Sequence, residues 1–276
     1  MRSILITGCS SGIGYDAAKT LQGRGWRVFA TCRKEADAAR LRDEGLESWR
    51  LDYEDEASVA AGAEEALNRA DGRLSALFNN GAWALPGPCE DVPRDGLRQI
   101  FEANLFGPHQ LTVAVMPAMR AAGAGRIVNC SSVLGFAAMP YRGPYNATKF
   151  ALEGLTDTLR RELRPSPIHV ILIEPGPITT PFRRNARPPF ERWMKPARES
   201  SSHPAEMWAE VERRLYKDKE GGRFDLPPAA VTAKLIHALE SPKPRPRYFV
   251  TTPTYIGDAL RRFLPTRVLD RVLGVG

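Results

Sequence analysis

Short apolar runs alternate with stretches of helical hydrophobic spacing along the whole chain. The runs are Ile4-Leu5-Ile6, Val28-Phe29-Ala30, Leu77-Phe78, Ile127-Val128 and Val170-Ile171-Leu172-Ile173. Short runs that are apolar at every position are typical of parallel strands buried on both faces. A helix between successive strands gives right-handed βαβ units. The pattern predicts one α/β domain over residues 1–276, with a doubly wound, mostly parallel sheet and helices on both faces.

Composition agrees with a single domain and excludes several other classes of protein. The 276 residues are 43% hydrophobic, which is enough to bury one full core. No apolar run approaches the length of a membrane span, and the first strand already includes Ile4, which leaves no room for a signal peptide. We therefore expect a cytoplasmic protein.

Cysteines and histidines show no spacing typical of disulfide frameworks or metal sites. The chain has four of each, namely Cys9, Cys32, Cys89, Cys130, His109, His169, His203 and His237. No C-x-x-C pair occurs among them, and the histidines are scattered. We expect a protein without a metal site.

Tyr145 and Lys149 are the most informative pair in the sequence. Four residues apart on a helix, they share one face, so the Lys149 ammonium can lie beside the Tyr145 phenol and lower its pKa. Ser132 lies thirteen residues before the tyrosine. This set predicts a site for proton exchange during hydride transfer. Tyr15 and Lys19 have the same separation without such a serine, and we interpret that pair as structural.

A glycine-rich loop follows the first apolar run. It reads Thr7-Gly8-Cys9-Ser10-Ser11-Gly12-Ile13-Gly14 and opens a helical pattern. Glycine permits positive φ and close approach of a ligand, and the N–H groups at a helix N-terminus attract a pyrophosphate. A tight strand-to-helix turn without a ligand is the competing interpretation.

Several motifs occur in this chain in a definite order. Because the short-chain dehydrogenase/reductase family has similar motifs in the same order, the chain resembles that family. The motifs are the glycine loop, Asn79-Asn80-Gly81-Ala82, Asn104, Ser132 with Tyr145 and Lys149, and Pro175-Gly176-Pro177-Ile178-Thr179-Thr180. The match covers residues 1–180 and is similar to hydroxysteroid and retinol dehydrogenase-like members. Gly81-Ala82 departs from the family pattern, which has the two residues in the reverse order.

The resemblance implies a Rossmann-type sheet of seven strands and assigns roles to individual residues. Ser132 would bind the substrate oxygen, Tyr145 would act as general acid and base, and Lys149 would hold the nicotinamide ribose. Asn104 would anchor a water that links Lys149 to solvent. The implied cofactor-binding residues are Gly8, Ser10, Ser11, Gly12, Ile13, Gly14, Arg33, Asp52, Asn80, Gly81, Tyr145, Lys149, Pro175, Gly176, Ile178 and Thr180. Relatives are commonly dimers or tetramers, so we expect a homodimer or homotetramer.

The end of the second strand indicates which dinucleotide is bound. A carboxylate there would bind the ribose 2′-hydroxyl of NAD, whereas a basic residue would accept the 2′-phosphate of NADP. The sequence has Arg33 and Lys34 and no carboxylate. Arg33 can pair with a phosphate through its planar fork. We predict NADP(H), with NAD(H) as the alternative, because many NADP-preferring relatives carry a second basic residue in the glycine loop, where this chain has Ser11.

Apolar residues beside the motifs predict the substrate class. The expected pocket walls are Trp83, Leu134, Met139, Tyr141 and Phe182, which favour a lipophilic alcohol or carbonyl compound over a sugar. Ordinary core packing is the competing interpretation of these residues. Residues 181–228, rich in proline, charge and tryptophan, predict a substrate lid. Its closing residues would be Phe190, Trp193, Met194 and Trp208.

Residues 242–276 are interpreted as a basic, amphipathic C-terminal extension. Seven basic and two acidic residues give it +5 of the formal +7 charge of the chain. The favoured interpretation is that its apolar face packs on the enzyme body or on a second subunit. Contact with an anionic membrane surface is the alternative. Nucleic-acid binding does not fit, because the basic residues lack aromatic stacking partners.

The sequence therefore predicts an NADP(H)-dependent oxidoreductase that interconverts an alcohol and a ketone or aldehyde. One alternative is a redox sensor or scaffold that binds the cofactor without turnover, and another is a reductase of carbon–carbon double bonds on the same fold. The complete set of Asn104, Ser132, Tyr145 and Lys149 favours the enzyme.

Overall fold

The computed structural model describes residues 1–217 and 222–274. Within these residues, seven strands form one sheet in the order β3-β2-β1-β4-β5-β6-β7. The strands are β1 (Ser3–Ile6), β2 (Arg27–Cys32), β3 (Glu47–Arg50), β4 (Ala76–Asn79), β5 (Gly125–Cys130), β6 (Ile168–Glu174) and β7 (Arg247–Phe249). Every pairing is parallel, which confirms the predicted doubly wound sheet.

Helices connect the strands and cover both faces of the sheet. They are α1 (Gly12–Gly23), α2 (Glu35–Asp43), α3 (Glu56–Arg69), α4 (Arg94–Phe101), α5 (Gly107–Ala121), α6 (Gly143–Glu162), α7 (Phe182–Asn185), α8 (Arg187–Pro189), α9 (Lys195–Ala197), α10 (Ala205–Tyr216), α11 (Ala229–Glu240), α12 (Thr252–Phe263) and α13 (Thr266–Leu273). Short 3-10 turns lie at Cys89–Asp91, Val133–Gly135 and Arg198–Ser200, and π-helical turns at Glu102–Phe106 and Phe190–Met194.

Two apolar cores explain why the inner strands contain runs of consecutive apolar residues. Side chains alternate between the faces of a strand, so Ile4 and Ile6 enter one core and Leu5 enters the other. The first core includes Leu21 of α1, and the second includes Leu111 of α5. A strand with a core on each face is therefore apolar at most of its positions. The polar side chains that such strands do bury, for example Thr31 of β2 and Asn79 of β4, form hydrogen bonds.

Strand β7 was not located by the sequence pattern, although it lies within the predicted C-terminal extension. It pairs with β6 and buries Tyr248 in the first core. Helix α12 buries Thr254 and Gly257, whereas α13 buries none of its residues. The first part of residues 242–276 therefore belongs to the sheet, and residues 275–276 lie outside the described residues.

The segment predicted as a lid contributes to a third apolar core. Phe190, Met194 and Trp208 are fully buried there, in one cluster with Tyr145. Trp193 is partly buried and donates its indole N–H to Gln99 Oε1 at 2.6 Å. Phe190, Met194 and Trp208 are therefore packed core residues in this structure, and Trp193 packs against them. Residues 218–221 of the segment lie outside the described part of the chain.

Strand order reverses between β1 and β4. Such a reversal leaves a crevice at the carboxyl ends of the strands, where doubly wound proteins bind their ligands. The glycine loop follows β1, the Asn80 segment follows β4, and Ser132 follows β5. All three predicted motifs thus lie at the carboxyl ends of adjacent strands.

Candidate active site

The glycine loop is held in a conformation that only glycine adopts easily. Gly8 has φ +69° and Gly12 has φ +58°. A Cβ atom on Gly14 would lie 2.4 Å from the Gly8 carbonyl oxygen. Ser11 precedes α1 and does not cap the helix through its side chain, which leaves N–H groups of the first turn available to a ligand. Of the other predicted residues, Ser10 lies in the loop and Ile13 lies in the first turn of α1.

Thr7 joins the glycine loop to the segment after β4. Its hydroxyl accepts hydrogen bonds from the backbone N–H of Asn80 at 3.0 Å and of Gly81 at 3.1 Å. Tyr53 donates its own proton to Asn79, so Thr7 donates to the Tyr53 oxygen, which lies 2.8 Å away. Thr7 is one of the residues to which the sequence analysis gave no role.

The proline-glycine segment after β6 reaches the other side of the glycine loop. A Cβ atom on Gly12 would lie 3.0 Å from the Thr180 methyl group. The Pro175 carbonyl accepts a hydrogen bond of 2.8 Å from Val133 N, beside Ser132. Gly176 packs on Thr251, and Ile178 forms a β-bridge with Leu226. The predicted cofactor residues of this segment therefore lie between the glycine loop and the loop that carries Ser132.

Ser132, Tyr145 and Lys149 come together at the ends of β5 and α6. The Ser132 side chain lies close enough to the Tyr145 hydroxyl to lower its pKa, and Ser132 Oγ accepts a hydrogen bond of 3.1 Å from Leu134 N. Lys149 Nζ lies 5.5 Å from the centre of the tyrosine ring and donates to the Cys130 carbonyl oxygen at 2.8 Å. The neighbouring Ser131 instead faces Glu153. The choice of Ser132 over Ser131 agrees with this geometry.

The electrostatics at Tyr145 differ from the sequence prediction. Burial raises the pKa of Tyr145, while the neighbouring Ser132 side chain and the charge of Arg142 lower it. Burial also lowers the pKa of Lys149, whose ammonium is directed at a backbone carbonyl rather than at the phenol. The pKa of Tyr145 is therefore raised rather than lowered as predicted, because removal of the phenol from water outweighs the neighbouring groups that favour its ionised form. Arg142, which the sequence analysis missed, is the nearby cation that acts on the phenol.

Asn104 lies in the π-helical turn Glu102–Phe106 and is almost fully buried. Its amide accepts from Trp83 N at 3.1 Å and donates to Trp83 O at 2.9 Å and to Thr148 Oγ1 at 3.2 Å. Thr148 precedes Lys149 on α6. Asn104 thus ties the segment after β4 to the helix that carries Tyr145 and Lys149.

The basic residues near the second strand contact both the glycine loop and an acidic side chain. Arg33 is about half exposed and lies 3.9 Å from Glu54. Arg40 of α2 donates to the Ser10 carbonyl at 2.7 Å, which places a second guanidinium at the loop. Arg40 lies seven residues after Arg33, on a helix whose sequence gave no ligand signal. Asp52 accepts from Glu54 N at 3.2 Å and lies 3.4 Å from Arg50.

The five predicted pocket residues differ in their surroundings. Trp83 and Phe182 pack in the third core, where the Phe182 ring lies edge-on to Tyr145 at 5.4 Å. Leu134 and Tyr141 pack against the same core. Tyr141 has φ +59°, a strained value for a residue with a side chain. Met139 is 43% exposed and stands apart from this cluster.

A cluster of buried carboxylates lies behind the site. Glu153, one turn after Lys149 on α6, and Glu174, at the end of β6, both bind the Arg247 guanidinium, which also pairs with Asp157 at 2.8 Å. Burial and the neighbouring Glu153 raise the pKa of Glu174 to about 8. One proton is therefore retained in the cluster near neutral pH.

We expect this proton to make stability pH-dependent. Folded Glu174 keeps its proton up to a pKa of about 8, whereas the unfolded chain loses it near the ordinary value of 4.5. The free energy of unfolding should fall as pH rises through this window, by at most about 1.4 kcal/mol per pH unit. Glu174→Gln cannot ionise, so urea unfolding between pH 5 and pH 8 should show a shallower fall. Exposed Glu162→Gln is the control, and an unchanged slope in Glu174→Gln would refute the assignment.

The described residues contain no cluster typical of a metal site and no helix that could span a membrane. Among them, no three histidine, cysteine, aspartate or glutamate side chains are placed to hold a metal ion. No helix in the described ranges is both long and apolar enough to span a bilayer. The site consists of a glycine loop, a buried phenol with a neighbouring hydroxyl, and a buried lysine.

These residues fit a dinucleotide. The glycine positions bring the backbone close to Gly81 and leave no space for Cβ atoms, and the start of α1 offers N–H groups for a pyrophosphate. Arg33 and Arg40 supply positive charge at the end of the second strand and at the loop. A doubly wound parallel sheet with such a loop at its switch point, beside a Ser-Tyr-Lys set, defines a dinucleotide-dependent oxidoreductase.

A model of the short chain dehydrogenase family matches residues 2–190. The chain belongs to the short-chain dehydrogenase/reductase family, as the sequence motifs indicated. The predicted enzyme class, an oxidoreductase acting on CH–OH groups, is confirmed by the family match and by the relatives described next.

Three relatives cover nearly the whole chain. The uncharacterized oxidoreductase YbbO of Escherichia coli (strain K12) is 42% identical over 272 residues, covering 99% of this chain and 94% of that protein. An NADPH-dependent 3-dehydrocapnine reductase of Ornithobacterium rhinotracheale is 32% identical, covering 99% of this chain and 96% of that protein. Human 17-beta-hydroxysteroid dehydrogenase type 1 is 31% identical, covering 95% of this chain and 78% of that protein.

A solved structure agrees with the fold. A short-chain dehydrogenase/reductase from Burkholderia phymatum, in complex with NAD, has a TM-score of 0.79 and 27% sequence identity. The alignment covers 99% of this chain and 94% of that one. The likeness extends through the whole sheet and supports the single Rossmann-type domain.

Proposed function

We propose that the protein is an NADP(H)-dependent oxidoreductase that interconverts a lipophilic alcohol and its ketone or aldehyde. The observation that carries the proposal is the meeting of Ser132, Tyr145 and Lys149 at the sheet edge that also holds the glycine loop. The reaction would take place in the cytoplasm, in a homodimer or homotetramer. Light scattering of the purified protein tests the assembly.

The side chains of the site can perform the proton chemistry. Bound nicotinamide would supply or accept the hydride. Tyr145 has a raised pKa, so its phenol is protonated near neutral pH and is ready to donate to a carbonyl oxygen. Ser132, whose side chain lies near that phenol, is placed to donate to the same oxygen. Lys149 would hold the nicotinamide ribose through its ammonium, and Asn104 would keep α6 in position through Thr148.

A preference for NADP(H) follows from the charges near the second strand. Within the described residues, the ion pair of Arg33 is a long contact of 3.9 Å with Glu54, so its fork can turn to a 2′-phosphate. Arg40 reaches the glycine loop from α2 and adds the second cation that the loop itself lacks. The similarity to an NADPH-dependent reductase supports the same choice. NAD(H) remains the alternative, as in the Burkholderia phymatum structure.

Loss of Arg33 should weaken NADPH binding selectively. A charge-assisted hydrogen bond contributes about 1.5–3 kcal/mol, so Arg33→Ala should raise the Kd for NADPH about 10- to 100-fold and leave NADH nearly unchanged. Titration of the variant with NADPH and with NADH, followed by nicotinamide fluorescence, measures the two Kd values. Lys34→Ala, which removes the same charge one residue later, is the matched control. Equal loss of NADH and NADPH affinity would contradict the role given to Arg33.

The lipophilic substrate class rests on the surroundings of Tyr145. Its ring packs in a core of aromatic and aliphatic side chains that includes Trp83 and Phe190, and Phe182 lies edge-on to it. Ketosteroids and long-chain ketones are therefore the first compounds to assay with NADPH, with a ketose as the polar control. NADPH oxidation with the ketose alone would overturn this assignment.

A further inference from the structure

The C-terminal helix pair, α12 and α13, leaves an apolar face uncovered. Phe263, at the end of α12, is 83% exposed, and Val268 and Val272 of α13 are 40% and 50% exposed. Helix α13 buries none of its eight residues. The favoured interpretation from sequence is that this face packs on the enzyme body or on a second subunit. Within the described residues the enzyme body leaves it exposed, so a second subunit is the form of that interpretation that the structure does not test.

The exposed residues are arranged as one stripe on each helix. On α12, Ile256, Leu260 and Phe263 follow one another at helical spacing, and Ile256 is 49% exposed. On α13, Val268 and Val272 are four residues apart and so lie on the same side. A hydrophobic surface of this kind on a charged protein marks an interaction site.

Charge distinguishes between the partners that would fit this face. From position 261 to 274 the chain has four arginines and one aspartate. Arg262 pairs with Asp258 at 3.0 Å, but Arg261, Arg267 and Arg271 form no ion pair within the described residues. Two copies meeting through this face would bring like charges together, which is unfavourable. An anionic surface satisfies the arginines and covers the apolar stripe at once.

We propose that the C-terminal helix pair docks the enzyme on an anionic membrane surface. Apolar side chains such as Phe263 and Val272 would enter the headgroup boundary, and the arginines would bind lipid phosphates. The pair is attached near the site, because Gly257 of α12 packs on Val133 and Phe136 in the loop after Ser132. Docking would therefore hold the catalytic edge of the sheet close to the bilayer.

Vesicle sedimentation with the full chain tests the proposal. The protein should bind vesicles of phosphatidylcholine with phosphatidylglycerol, bind phosphatidylcholine alone far less, and dissociate as salt increases. Each basic residue near an anionic surface contributes about 1 kcal/mol, so Arg267→Gln with Arg271→Gln should lower the partition coefficient about 30-fold. Phe263→Ser should lower it as well. Arg120→Gln with Arg164→Gln, two exposed arginines elsewhere, is the matched control.

Several outcomes would overturn the proposal. These are equal binding to neutral vesicles, no binding to anionic vesicles, or an equal loss in the control pair. A change from dimer to monomer in Phe263→Ser, without any vesicle binding by the unchanged protein, would assign the face to a second copy instead. Thermal unfolding shows that each variant is folded. The proposed docking does not rest on the proposed function. Vesicle sedimentation tests the docking, and NADPH titration tests the cofactor of the proposed function separately.

Discussion

Replacement of Tyr145 by phenylalanine should lower kcat by about 10²- to 10⁴-fold, the usual contribution of a general acid or base. Phenylalanine keeps the ring that packs against Phe182 and loses only the hydroxyl that meets Ser132. The fold and the affinity for NADPH should therefore persist. Turnover of a ketone by the purified variant, together with an NADPH titration, measures both effects.

The chain offers a matched control for this variant. Tyr15 and Lys19 have the same spacing, but the Tyr15 hydroxyl donates to Glu44 at 2.8 Å and Lys19 binds the Glu44 carbonyl. Tyr15→Phe should thus leave kcat unchanged. Turnover that survives in Tyr145→Phe would remove the tyrosine from the mechanism. An unchanged protein that binds NADPH but converts no carbonyl compound would favour the sensor alternative.

Replacement of Gly14 by alanine should weaken both the fold and the cofactor site. The new Cβ atom would lie 2.4 Å from the Gly8 carbonyl oxygen and 2.7 Å from Asn80 Nδ2, and Thr7 fixes Asn80 from the other side. Overpacking of this kind costs about 1–3 kcal/mol in free energy of unfolding. Because the loop must shift, NADPH affinity should fall as well. Urea unfolding and fluorescence titration measure the two effects.

Gly23, at the other end of α1, is the control for Gly14. A Cβ atom there would meet nothing within 4 Å. Gly23→Ala should therefore keep or slightly increase stability, because alanine favours the helix. Normal stability and normal NADPH affinity in Gly14→Ala would show that the loop has more space than this packing allows.

The sheet could be predicted from sequence because its inner strands are buried on both faces. Five apolar runs marked β1, β2, β4, β5 and β6 directly. Strand β7 could not be recognised, since it has only three residues and begins with Arg247. That arginine is held by Glu153 and Glu174, which lie far away in sequence. The pattern of apolar and polar positions along the sequence cannot indicate an ion pair between residues so far apart in the chain.

The site could be predicted as a set of residues but not as a set of contacts. The order of the motifs identified Ser132, Tyr145 and Lys149, because chemistry restricts residue type and spacing. The ionisation of Tyr145 depends on its burial in the third core, which combines residues of the predicted lid with residues such as Trp83 and Ile100 from distant parts of the sequence. Arg40 illustrates the same limit, since its contact with Ser10 depends on the packing of α2 beside the loop.

Thr7 has a consequence for the thermodynamics of ligand binding. Its single hydroxyl links the end of β1 to Asn80, Gly81 and Tyr53, so the two loops that flank the crevice are fixed relative to each other. The conformational entropy of these loops is lost during folding and not at the moment of association. A ligand therefore meets a preorganised cleft, and more of its interaction energy remains as affinity.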